Sequence, residues 1–249
     1  DLAHFYGHYP FAPYSVTPDT CFPVTNIEKA TYAPFFGQTW EAQPKSENQL
    51  LSLNGGIRVN VAPGNCTAKI AGMAKAAVEE AMAAVAADTG VAFEAAEAEG
   101  VLTIEATGVQ AHASRPNEGK NAITAMLTLL SRLPLAEDAA FAAVRNLHGF
   151  FPYGDDHGTA LGIAAEDEIS GKTTVTLSVL DMNETGFSAR FDSRDALCAT
   201  RESTQDVTEQ KFTALGWTCT GDFGPGHWVD ENSDFIRVEV SQAGRLSRS

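Results

Sequence analysis

The stretch Val101-Leu-Thr-Ile-Glu-Ala-Thr107-Gly108-Val-Gln-Ala-His112-Ala-Ser-Arg-Pro116-Asn-Glu-Gly119-Lys-Asn121-Ala-Ile123 changes its apolar period partway along. Its first seven residues read as a β-strand. Beyond Asn121, apolar residues at Ile123, Met126, Leu127, Leu130 and Leu133 recur at three and four, as one buried helix face does. Gly108, Pro116 and Gly119 punctuate the segment between them. His112 is therefore expected at the end of a strand, in a loop that leads into a helix. Loops carried on rigid elements are where binding residues concentrate.

Working upstream, residues 50–61 read as a strand pair broken by Asn54-Gly55-Gly56, a hairpin signal. Residues 67–70 read as a short strand, and residues 73–87 as an alanine-rich helix stopped at Asp88-Thr89-Gly90. Residues 91–95 and 101–107 are two further strands, so the order is β-β-α-β-β-α. Downstream, residues 134–158 form a connection with a helix near 139–147. A second series follows: a strand at 173–180, the turn Asn183-Glu-Thr-Gly186, a return strand at 187–191, a helix at 201–215 closed by Gly216, and a strand at 217–223. Residues 24–36 read as a strand with its turn, and residues 1–25 as irregular chain rich in aromatic residues and proline. Two series of similar grammar predict an α+β fold of two similar halves, each an antiparallel sheet with helices on one face.

The formal net charge is −15, from 32 acidic and 17 basic residues. Nucleic acid is excluded as a partner, because its phosphates need a basic footprint. Residues 73–87 carry Lys75, Glu79 and Glu80, so this helix is not a membrane span. The opening Asp1-Leu-Ala-His4 has no signal-peptide pattern, and without an initiator Met it is not expected to be a native N-terminus. Cys21, Cys66, Cys198 and Cys219 lack C-x-x-C spacing. They are read as reduced thiols of a cytoplasmic protein.

Four polar residues stand out. Asp19, in Thr17-Pro-Asp19-Thr-Cys-Phe22-Pro23, is by default a turn or cap residue, and the sharper reading of its carboxylate is a metal ligand. Asn60, in Leu53-Asn-Gly-Gly-Ile-Arg-Val-Asn60-Val-Ala-Pro63, either satisfies a strand end or binds a ligand. Arg194, in Phe191-Asp192-Ser-Arg194, is a surface arginine or a carboxylate receptor. His112 is a surface histidine or a functional one.

Taken together, these segments resemble the zinc-dependent aminoacylase/carnosinase superfamily of metallopeptidases, most closely the PepV-like bacterial dipeptidases. The His112 string is similar to that family's lid motif G-x-x-AH-x-S-x-P-x-x-G-x-NAI, and the Asp19 segment to (S/T)-P-D-x-x-F-P, followed by Glu28-Lys29. The Asn60 strand resembles G-G-x-x-x-N-x-V-P. The Arg194 element resembles D-x-R-(Y)-P, with Asp195 in place of the proline. Gly224-Pro-Gly226-His227-Trp-Val-Asp230 resembles the segment by which the chain returns from the lid. The resemblance implies a tandem ferredoxin-like lid. Residues 1–44 would be the edge of a catalytic domain, 45–150 and 151–225 the two lid halves, and 226–249 the return segment with a frayed end.

It further implies a cytoplasmic dipeptidase that hydrolyses short peptides with two zinc ions. Asp19 would ligate one ion. Asn60 and Arg194 would hold the substrate carboxylate, and His112 would stabilise the oxyanion. Homodimerisation through the lid is a further implication. The family's H-x-D element and Glu-Glu pair are not found at the expected places, so the 249 residues by themselves are expected to be inactive. The alternative is a non-catalytic binding or dimerisation module.

Overall fold

The computed structural model describes residues 7–8, 25–44, 46–234 and 236–237. Residues Lys29–His227 form one compact unit; Asp1–Glu28 with Trp228–Ser249 form another. In the latter, Asn26 and Val229 are joined by two hydrogen bonds of 2.8 and 2.9 Å. This unit includes the strand β1 (Ile27–Glu28); a strand β15 spans His227–Trp228.

Within Lys29–His227 the first strands are β2 (Ala30–Tyr32), β3 (Phe35–Thr39), β4 (Gln49–Gly55), β5 (Val61–Ala62) and β6 (Asn65–Ala71). Next come β7 (Ala92–Ala98), β8 (Val101–Thr107), β9 (Ala111–His112), β10 (Glu166–Asp167) and β11 (Gly171–Lys172). The last are β12 (Thr174–Asn183), β13 (Gly186–Asp195) and β14 (Thr218–Thr220). The main helices are α1 (Glu79–Thr89), α2 (Ala122–Leu130), α3 (Ala139–Phe150) and α4 (Val207–Ala214). One sheet runs in the order β14-β3-β13-β12-β4-β6-β8-β7, with β2 also on β13. Its pairings are antiparallel. The fold thus combines an antiparallel sheet with four helices, as the periodicities predict.

Local chemistry explains the element ends. The β8 residues Leu102, Ile104 and Ala106 are buried while Glu105 and Thr107 face solvent, which is the alternation of a sheet with one wet face. Gly90 ends α1 at φ 68°, a left-handed cap that a glycine adopts without strain. Asn121 caps α2 by accepting from Ile123 N at 3.0 Å and Thr124 N at 3.3 Å, and Asp138 caps α3 by accepting from Phe141 N.

Two expectations differ from what is found. The Asn54-Gly55-Gly56 segment is not a hairpin: β4 continues to Gly55 and pairs with β6 on one side and β12 on the other. Contact with neighbours explains the glycines. A Cβ on Gly56 would lie 1.8 Å from Ser178 O, and one on Gly55 would lie 2.6 Å from Ile123 Cγ1. The helix expected over 73–87 starts later, with only a 3-10 turn at Lys75–Ala77 before α1.

The strand β3, upstream of the expected lid, is hydrogen-bonded between β13 and β14. Its Phe36 is 3% exposed and meets Phe212 at 4.6 Å, with Phe151, Phe187, Phe191 and Trp217 at 6.0 to 6.2 Å between ring centroids. One ring therefore ties the end of α3, the middle of β13 and α4 into a shared core. Phe36→Ala is expected to cost about 3–5 kcal/mol of stability, the range for emptying a buried phenylalanine site. Denaturant unfolding would measure it, and a loss below about 1 kcal/mol would mean that β3 is dispensable to this core.

Candidate functional site

The turn that carries His112 is built by backbone bonds. Val109 and Lys120 bond each other in both directions, at 3.0 and 2.8 Å, and Gly108 N donates to Gly64 O at 2.8 Å. This closure excludes side chains: a Cβ on Gly108 would stand 2.0 Å from Lys120 O, and one on Gly119 would stand 2.8 Å from Val109 O. Pro116 and Ala113 are buried. Asn121 donates through Nδ2 to Leu177 O at 2.8 Å, fastening the start of α2 to β12. Most side chains singled out by the motif thus have a structural task. His112 and Ser114 are the exposed remainder.

Nδ1 of His112 lies 2.8 Å from Ser114 Oγ and accepts from Ser114 N at 3.2 Å. A nitrogen that accepts an N–H carries no proton, so the neutral imidazole holds its proton on Nε2. His112 therefore presents a donor. β9 pairs with β5 so that Val61 stands opposite His112, and Ala113 N donates to Asn60 O at 2.9 Å. Asn60 and His112 are thereby brought together, each exposed.

Arg194 is on β13, opposite Thr174 on β12 and Thr31 on β2. Its Nε and Nη2 donate to the two oxygens of Asp192 at 2.7 and 3.0 Å, a bidentate fork. Asp192 is buried. The neighbouring Asp195 is fully buried, accepts from Ser193 Oγ at 2.6 Å, and its Oδ2 has no hydrogen-bond partner among the described residues. Burial, helped by the Asp192 charge, pushes the Asp195 carboxyl up to about 6 against the pull of Ser193, Thr173 and Lys29. Lys29 donates to Lys172 O, and burial lowers its ammonium below the usual range.

A cleft of about 220 Å³ lies between the motif turn (Pro116, Gly119, Asn121), the loop with Tyr153 and Asp156, and β12. A second, of about 360 Å³, borders β5. Asp19 lies outside the described residues. Among the described residues no three His, Cys, Asp or Glu side chains could hold a metal ion. Zinc needs three or four protein ligands, so the described residues do not fit the expected two-zinc centre.

Sequence reasoning left Ser114 and Asp192 without roles. Each stands two positions from a residue that was singled out, the spacing that returns a side chain to one face of an extended chain.

Residues 100–207, which include His112 and Arg194, match the family model described as "Peptidase dimerisation domain". "Putative dipeptidase YtjP" of Bacillus subtilis (strain 168) is 30% identical over 186 residues, covering 74% of this chain and 39% of that protein. "Putative dipeptidase SAB1611c" of Staphylococcus aureus (strain bovine RF122 / ET3-1) is 26% identical over 238 residues, covering 90% of this chain and 48% of that protein. The chain thus spans less than half the length of these curated relatives. Among solved structures, the aminoacylhistidine dipeptidase from Vibrio alginolyticus aligns over 86% of this chain and 48% of that one. It does so with 11% identity and a TM-score of 0.35, too slight a likeness to carry weight.

Asp195 makes the stability of this region depend on pH. Its folded-state pKa of about 6 exceeds the ordinary ~3.9, so the folded state binds the extra proton and stability falls as pH rises from about 4 to 6. The full difference is on the order of 3 kcal/mol. Asp195→Asn, which resembles the protonated acid, is expected to be about 2–3 kcal/mol more favourable relative to the parent at pH 8 than at pH 4. Urea titrations at both pH values measure this, and a pH-independent difference would contradict it.

Proposed function

Because the chain belongs to the M20 peptidase family, we propose that residues 45–225 are the substrate-binding lid, in two tandem halves, of a zinc-dependent dipeptidase that hydrolyses short peptides in the cytoplasm. The observation that carries this reading is the Nε2–H donor that Ser114 imposes on His112. A fixed, outward donor suits a carbonyl oxygen that gains negative charge when water attacks the adjacent carbon. Asn60, beside it on β5, contributes a carboxamide to substrate positioning, and Arg194, held by Asp192, a guanidinium to the substrate's terminal carboxylate. A zinc ion would supply an activated water, and Asp19 is the residue of this chain that would serve as its ligand. On this reading the 249 residues alone do not hydrolyse peptides.

The match of residues 100–207 to a dimerisation domain favours a second reading, in which the same region only binds or pairs copies of the chain. No described helix is long and apolar enough to cross a membrane.

Kinetics of the intact protein separate the two readings. With His112→Ala, kcat is expected to fall about 10²–10³-fold with little change in KM, since the lost hydrogen bond is strongest in the transition state. Arg194→Ala is expected to raise KM chiefly, because the carboxylate it meets carries the same charge before and during reaction. An unchanged kcat in the histidine variant would defeat the oxyanion role. A complete lack of peptide hydrolysis in the intact parent would leave the binding module.

A further inference from the structure

Every other described arginine has a partner. Arg115, Arg132, Arg145, Arg194, Arg201 and Arg237 pair with carboxylates, and Arg190 lies over the Phe35 ring and donates to Ala33 O. Arg58 is exposed and makes no ion pair or side-chain hydrogen bond with the described residues. In a chain of net charge −15, carboxylates are the most available partners, so an arginine kept apart from them stands out.

Its position adds a second observation. Arg58 borders the cleft of about 360 Å³ together with Ile57, Val61, Asn65 and Gln110, and among the described residues no acidic one lines that cleft. Such a volume suits a small ligand. Val61 stands directly opposite His112 in the β5–β9 ribbon, so their side chains leave the same face. Gln110, two residues before His112, follows the same alternation. A Cβ on Gly64 would come within 2.9 Å of Gln110 Cγ, so the glycine lets the Gln110 side chain lie close over the cleft floor. The face that carries His112 thus continues into a cleft whose only charge among the described residues is the Arg58 guanidinium.

We propose that this cleft is a subsite for an acidic side chain, in which Arg58 receives the side-chain carboxylate of the peptide whose carbonyl meets His112, while the terminal carboxylate is left to Arg194. Asn65 and Gln110 supply amide donors beside it. A planar guanidinium takes a carboxylate in a two-point grip, and the surrounding negative field leaves this locally positive spot as the place for an anionic group. That the occupant is a peptide rests on the dipeptidase reading; the preference for a carboxylate rests on the cleft.

The test titrates glycylglutamate, glycylglutamine and glycylglutamine amide into the intact protein by calorimetry, for the parent, Arg58→Gln and Arg58→Lys. The substituted position is on an exposed loop, so folding is not at stake. If the side-chain carboxylate is the group recognised, the parent binds glycylglutamate about fivefold or more tightly than glycylglutamine. Arg58→Gln abolishes this gap and Arg58→Lys keeps part of it, while the difference between glycylglutamine and its amide is the same in the parent and in Arg58→Gln. Four outcomes overturn the subsite: a glycylglutamate preference that survives Arg58→Gln, a gap that Arg58→Gln removes only between glycylglutamine and its amide, equal weakening of all three peptides, or no binding of any peptide to the parent. Binding with the expected gap but no hydrolysis by the intact protein would keep the subsite and defeat the dipeptidase reading.

Discussion

Three backbone pairs, Leu53–Met182, Asn54–Asp181 and Gly55–Leu180, join β4 to β12 and make one sheet of two halves. The seam is short and leaves no room for side chains where the chain departs from it. Gly56 passes so close to Ser178 O that a methyl group would occupy the carbonyl's own space, and its φ of 70° suits glycine best. On one side of this seam lies the β4-β6-β8-β7 half, with α1 and α2 packed on it. On the other lie β12, β13, β3 and β14, with the aromatic cluster around Phe36. Asn121 spans the same junction from another direction, capping α2 with its oxygen and bonding β12 with its nitrogen. The position of the His112 turn against β12 depends on both.

The charged groups near that seam divide into held and unheld. Asp192 grips Arg194 from a buried position, which fixes the guanidinium plane by using two of its donors. Asp195, where the family pattern has a proline, is buried with one oxygen unsatisfied. Burial of that kind costs stability unless it is offset by partners, and Ser193 Oγ donates to the other oxygen at 2.6 Å. The region around Arg194 is therefore costly to maintain, whereas the turn around His112 rests almost wholly on backbone bonds and small residues.

Much of this was legible in the sequence. The alternation over β8 and the three-and-four spacing after Asn121 are direct records of one-sided burial, and both elements are found where those periods place them. Gly90 closes its helix as a C-cap glycine should. What could not be read came from distant packing. Gly55 and Gly56 look like a local turn, yet their lack of side chains answers to Ile123, more than sixty positions away, and to Ser178, more than a hundred. Nothing local in residues 35–39 announces that they insert between β13 and β14, because strand partners are not encoded in a strand's own period. At the site, His112 and Asn60 were found by motif and are neighbours in space, while Arg58 was passed over because what sets it apart is that it makes no ion pair with the described residues.

The bond from Ser114 N to His112 Nδ1 acts as a selection rule on whatever approaches the imidazole. With that edge of the ring occupied, the outer nitrogen can give a proton to a contact but has no lone pair to offer in return. Carbonyl, carboxylate and phosphoryl oxygens are complementary to it; ammonium groups and amide N–H groups are not. The polarity of contact at this spot is thus set by one hydrogen bond between a backbone nitrogen and a ring nitrogen two residues apart.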